Sequence, residues 1–142
     1  MALTRPAIKL TDAGARVLLD AAVDHARAMG VPQCIAIVDE GCNLMAFVRM
    51  DGARVLSIRS SQRKAMTAAT TGKPTGSLDP AVELKLAIAT DGDMVNLKGG
   101  LPIMTDGQVI GGIGVGSGTG DQDLQVASAA LEKFTNSERF RI

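Results

Sequence analysis

Tryptophan and tyrosine are absent from this 142-residue sequence, and its aromatic residues are three phenylalanines, Phe47, Phe134 and Phe140. The usual platforms for stacking a base or a sugar are therefore missing. An excess of either charge is missing too: fifteen basic residues balance fifteen acidic ones, and no long basic run occurs. Nucleic acid is not an expected partner. No stretch approaches the roughly 20 apolar residues that cross a bilayer, so no membrane partner is expected either. Met1 to Leu10 lacks the apolar core and small-residue cleavage site of a secretory leader, which makes the cytoplasm the expected location.

Metal-binding residues are equally sparse. The chain has one histidine, His25, and two cysteines, Cys34 and Cys42. They have no Cys-x2-Cys spacing, and no metal site is expected. A hairpin turning at Glu40-Gly41 would set Cys34 opposite about Phe47 and away from Cys42. A disulfide needs Cα atoms within about 7 Å, so both thiols are expected to be free. His25 falls on or beside the apolar stripe of a helix, where a core-edge role outweighs a catalytic one. Cys42 lies in a turn near Arg49 and reads as an ordinary thiol before a nucleophile.

What the chain does have is small apolar residues, chiefly Ala, Gly, Val, Leu and Ile, in a sequence that is 46% hydrophobic. Its length predicts one domain, 1–142, with closely approaching elements. Thr11 and Asp12 offer caps for a helix running to Met29, and Gly30 and Pro32 stop it. Gln33 to Asp39 and Asn43 to Met50 read as a hairpin around Asp39-Glu40-Gly41. A helix is expected from Ala53 to about Thr71, then a shorter one capped by Ser77 with Pro80 near its start. Pro102-Ile103-Met104 and Gln108 to Val115 form a second hairpin around Asp106-Gly107. After a bend at Gly116 to Gly120, Asp121 or Asp123 is expected to cap a last helix. Residues 136–142 read as a flexible or partner-packing tail. This order argues against a Rossmann fold. It predicts an α/β (α+β) fold, a profilin-like sandwich in which a mainly antiparallel sheet of two hairpins carries packed helices.

An ordered set of short segments bears on identity. Ala36-Ile37-Val38-Asp39 is followed by Gly41, then by Arg49-Met50-Asp51-Gly52-Ala53. Lys64-Ala65 and Thr67-Ala68 come next, and Gly99-Gly100-Leu101-Pro102-Ile103 leads to Asp106-Gly107. Ile110-Gly111, Gly114-Val115-Gly116 and Asp121-Gln122-Asp123 complete the set. Together they resemble the GlcG/HbpS (DUF336, haem-degrading) family, also seen as the carboxy-terminal domain of PduO-type proteins. The resemblance implies haem or tetrapyrrole binding, or an accessory role in small-acid and diol catabolism, and assembly into homo-oligomers (dimers or higher). Two places depart from the family's pattern. Cys42 and Asn43 stand where relatives commonly have Gly-His, which removes a possible histidine ligand. Gly114-Val115-Gly116-Ser117-Gly118 replaces the usual Gly-Val-Ser-Gly-Gly bend.

Read for chemistry, the residues favour a small organic anion as partner. Arg49 ends a strand and Lys64 follows on the next helix. If the chain return brings them together, they form a cationic pocket, with the Gly99-Gly100 amides as a backbone cradle. Within such a pocket Asp39, Lys64 and Asp123 are the candidate proton-moving groups. The competing structural roles are turn formation for Asp39, helix capping for Asp121 and Asp123, and solvation or local pairing for the cations. The expected function is small-molecule binding, with catalysis on a small carboxylate-bearing intermediate as an extension. The alternatives are haem binding and a non-catalytic accessory role. The glycines of Gly107 to Gly120 lack the Lys-Ser/Thr ending of a phosphate loop and are read as close helix–sheet contact. Apart from the haem that the resemblance implies, no cofactor is expected.

Overall fold

The structure, a computed structural model, describes residues 1–139. The first helix, α1 (Asp12–Met29), begins where Thr11 Oγ1 accepts the Gly14 N–H at 3.0 Å. It ends at Gly30, whose φ of 70° closes the helix with bonds back to its last carbonyls. Strands β1 (Cys34–Asp39) and β2 (Leu44–Arg49) form the first hairpin, and β3 (Gly100–Thr105) and β4 (Gln108–Gly116) form the second. Between them lie α2 (Ser57–Thr71) and α3 (Pro80–Ala89), and α4 (Gly120–Arg139) follows the second hairpin.

The hairpins join through an antiparallel β1–β4 pairing into one four-stranded sheet of order β2-β1-β4-β3. This is the expected mixed α+β fold with a mainly antiparallel sheet. Pro102 lies in β3, an edge strand, where the missing N–H leaves no gap in a central ladder. α1 and α4 pack together over one face of the sheet, around fully buried Leu18, Ile35, Ile37, Ile103 and Ile113. Burial of each such side chain contributes about 1.5–3 kcal/mol. α2 covers the other face and lies directly on β4. A Cβ on Gly114 would sit 1.9 Å from the Ser61 carbonyl oxygen, and one on Gly112 would sit 2.2 Å from that of Ala65. Those two glycines are what lets helix backbone touch strand backbone, the role expected of them.

Several boundaries differ from expectation for local reasons. The hairpin pairs Cys34 with Arg49 rather than Phe47, because its turn extends through Cys42 and Asn43 and a bulge follows Ile37. Both cysteines are free, as expected. α2 starts at Ser57 rather than Ala53: the Ala53 N–H bonds the Met50 carbonyl, and the Arg54 N–H bonds Ser117 Oγ at 2.9 Å. α3 is capped by Asp79, whose Oδ1 accepts the Ala81 N–H at 2.9 Å, and not by Ser77. Residues 136–139 continue α4 instead of starting a tail, while Phe140 and Ile142 lie outside the described residues. Among the described residues, no helix is long and apolar enough to cross a membrane.

Candidate functional site

The antiparallel register gathers one set of strand termini at one end of the sheet. The start of β1, the end of β2, the start of β3 and the end of β4 all lie there. Arg49, Gly99-Gly100, Lys64 and the beginning of α4 share that end, and Asp39 does not.

At this end Lys64 is buried, its side chain 6% exposed, and it forms an ion pair with Asp123, whose side chain is 3% exposed. Lys64 Nζ donates to Asp123 Oδ2 at 2.9 Å and to the Val115 carbonyl at 2.8 Å. Asp123 Oδ1 accepts the Gly118 N–H at 3.0 Å. The ammonium thus ties α2, β4 and α4 together. Gly99 permits the approach, since a Cβ there would lie 2.8 Å from Asp123 Cβ and 3.1 Å from Lys64 Nζ. Neither acid at the start of α4 is its principal cap, contrary to expectation. Thr119 Oγ1 accepts from Gln122 N at 3.2 Å and Gln122 Oε1 accepts from Thr119 N at 2.9 Å, a reciprocal capping box. That box leaves Asp123 free to meet Lys64, while Asp121 pairs on the surface with Lys98 at 2.8 Å. The Thr-x-x-Gln signal was legible in the sequence.

Beside this pair lies Gln33, fully buried, with neither side-chain polar atom bonded to a partner. A Cβ on Gly118 would fall 2.6 Å from Gln33 Nε2 and 2.9 Å from Asp123 Oδ1, so the amide sits against the loop that leads into α4. Ser117 in that loop has a φ of 91°, in the left-handed region, at one of the places where the bend departs from the family's pattern. Strand alternation puts position 33 on the same face as Ile35 and Ile37, so a polar residue there was a detectable anomaly.

The expected convergence of Arg49 with Lys64 does not occur. Arg49 ends β2, two strand spacings, roughly 10 Å, from β4, where Lys64 is held. The Gly99-Gly100 amides are not an open cradle either. The Gly100 N–H is taken by Thr75 Oγ1 at 2.8 Å, which leaves no pair of consecutive free donors. Asp39, at the opposite end, serves the β1–β2 turn: its Oδ1 accepts from Gly41 N and Asn43 N, each at 2.9 Å, and from Asn43 Nδ2 at 3.1 Å. Desolvation is the largest single influence on this carboxyl and raises its pKa. The bonds from Asn43 and Gly41, with the charge of Lys9, together outweigh it and leave the pKa below the ordinary value.

Arg49 instead lines an open groove of about 510 Å³ between the end of α1 and the edge strand β2. Val23, Ala26, Val48 and Met50 contribute apolar wall, and Arg27 lines the same groove. Within the described residues, neither arginine has a carboxylate oxygen within 4.0 Å. Arg49 also lies near Cys34, whose thiol pKa burial pushes up while the guanidinium pulls it down. Arg27 was not singled out from the sequence, because a basic residue in a last helical turn is ordinary.

Comparison with known proteins follows the same lines. The family described as "Haem degrading protein HbpS-like" matches residues 10–132. The chain belongs to this HbpS-like family. Among its HbpS-like relatives, protein GlcG of Escherichia coli K12 is 36% identical over 102 residues, covering 71% of this chain and 76% of GlcG. The crystal structure of Klebsiella pneumoniae protein ORFY superposes with a TM-score of 0.89 at 31% identity, covering 95% of this chain and 97% of that one. The crystal structure of a PduOC:heme complex gives a TM-score of 0.82 at 29% identity, with coverage of 89% and 95%.

Haem, which the family name implies, can be tested against the residues present. His25 lines a shallow groove of about 620 Å³ between α1 and α4, where Asp20 and Asp24 would repel propionates and Lys133 is the cation facing them. Cys42 Sγ is turned against α2, 3.3 Å from Thr70 Oγ1 and 3.6 Å from the Met66 carbonyl. The His25 groove sets one cation against two acids, and both thiols are turned toward backbone carbonyls, so the fit to a histidine- or thiolate-ligated haem is poor. Among the described residues, no three His, Cys, Asp or Glu side chains are grouped to hold a metal ion.

Proposed function

We propose that this HbpS-like protein binds a small carboxylate-bearing organic molecule, with Arg49 as the charge that anchors it. The observation that carries the proposal is Arg49 itself, an exposed guanidinium lining a groove of ligand size without a carboxylate partner among the described residues. Groove volumes of about 300–1,000 Å³ suit small ligands. A guanidinium grips a carboxylate through two parallel hydrogen bonds. Calorimetric titration with small carboxylic acids should give saturable binding that is lost in Arg49→Ala. Unchanged binding in that variant refutes the proposal.

Catalysis finds less support than binding. Asp39 is engaged in a turn at the far end of the sheet, and Lys64 and Asp123 are turned on each other in a buried pair. A second proposal, tetrapyrrole binding, draws on the likeness to the PduOC:heme complex. It predicts a defined Soret band at one pigment per chain, and a weak band without saturation excludes it. Self-association is part of the proposal as well, through α3. That helix buries none of its residues and leaves Leu84 and Ile88 each 69% exposed. Helices shorter than about 12–15 residues are marginal unless packed, and a second copy would cover this one. Light scattering should give a mass above that of one chain, reduced in Leu84→Glu/Ile88→Glu. A monomeric wild type rules this out.

A further inference from the structure

We infer that the Arg27–Arg49 groove is built for a ligand bearing two carboxylates on an apolar body, an inference that rests on the anion-binding proposal above. Two cations without a carboxylate partner among the described residues line one groove, and each has an ordinary role that fails to account for both. Arg27 lies in the last turn of α1, where a cation complements the helix carbonyls. Two of the last four carbonyls are already served by backbone: the Gly30 N–H bonds Arg27 O at 3.0 Å and the Val31 N–H bonds Ala26 O at 3.1 Å. Arg49 is on an edge strand, where charge discourages strand addition. That role requires only one charge and no groove.

What lies around the guanidinium groups narrows the ligand further. Val23, Ala26, Val48 and Met50 supply apolar surface, which a small hydrated anion such as phosphate would leave unused. Asp51 also borders the groove, beyond 4.0 Å from either guanidinium. A second anion on the ligand therefore gains most when it is held by an arginine away from that acid. An apolar chain or ring carrying a carboxylate at each of two positions satisfies the groove. A monocarboxylate leaves one cation unused, and a purely apolar compound leaves both.

The test compares octanedioate with octanoate by calorimetric titration of wild type, Arg27→Ala and Arg49→Ala, with haem as a competing dicarboxylate of larger body. Octanedioate should bind the wild type at least tenfold more tightly than octanoate. Each substitution should weaken octanedioate about tenfold or more, the scale of a lost charge-assisted bond. In Arg27→Ala the preference over octanoate should disappear. Haem displaced by octanedioate and weakened in Arg27→Ala supports the same groove with a tetrapyrrole as its larger occupant. If Arg49→Ala abolishes binding but Arg27→Ala leaves both affinities unchanged, the two-carboxylate inference is overturned and the anion-binding proposal stands. If neither substitution changes the binding of any of the three, both are overturned.

Discussion

The two cationic regions at the same end of the sheet lie in opposite environments. Lys64 is enclosed by α2, β4 and α4, with its charge met at 2.9 Å by a carboxylate that is itself buried. Arg27 and Arg49 face an open groove, and among the described residues neither has an acid within salt-bridge distance. A buried charge must be paired because desolvation is costly, so Lys64 and Asp123 fix the relative position of three elements. An exposed charge has no such debt to settle and is free for a ligand. Residue type alone does not separate the paired cation from the unpaired ones here. Burial does.

The largest effect should come from splitting the buried pair. Lys64→Met leaves Asp123 buried without its counter-charge and should cost about 3–5 kcal/mol in urea unfolding. Lys64→Met/Asp123→Leu should recover most of that loss, since apolar replacement of both partners is often neutral. If the single variant is as stable as wild type, the pair is not what holds the elements together.

Next to that pair, the unbonded Gln33 amide offers a change of opposite sign. Removing an unsatisfied buried polar group generally helps, and Gln33→Met should raise stability by about 1–2 kcal/mol. A loss of similar size would show that the amide is bonded in solution.

Asp39 gives a smaller, pH-dependent contrast at the far end of the sheet. Its folded pKa is below the ordinary 3.8, so its contribution is present above that value and is lost as pH falls through the lower folded one. Asp39→Ala should therefore cost about 1 kcal/mol at neutral pH, the cost shrinking to nothing in strong acid. A difference between the two proteins that persists in strong acid would contradict this.

The smallest effect sharpens the comparison from the other side. Arg49→Ala should change unfolding stability by no more than about 0.5 kcal/mol, as exposed unpaired residues do, while carboxylate binding disappears. A large loss of stability would place Arg49 with Lys64 among the structural charges.

The helices, the hairpins and the glycine-mediated contact were legible because their signals are local. Thr11 and Gly30 bracket α1, Asp106-Gly107 turns the second hairpin, and the glycines of β4 mark where α2 lies against it. The family segments were legible for the same reason, as short motifs in a fixed order. The cap of α4 was misassigned because Thr119, Asp121 and Asp123 are all good capping types, and only the Thr-x-x-Gln spacing from Thr119 to Gln122 sets the first apart. The candidate cationic site was legible only in part. Arg49 was singled out and Arg27 was not, and Lys64 meets Asp123 rather than Arg49.

The sequence by itself determined which segments are helix and strand, that the sheet is mainly antiparallel, and that few aromatic or metal-binding groups are available. Periodicity, caps and turns act over a few residues, and composition needs no geometry. Only the tertiary structure decided which charges meet. The order β2-β1-β4-β3 leaves Arg49 on one edge beside the end of α1, and carries Lys64 past β4 to Asp123. Those contacts join residues dozens of positions apart, so no local pattern specifies them. They follow from how the two hairpins pair and from where the helices can then bury their apolar faces.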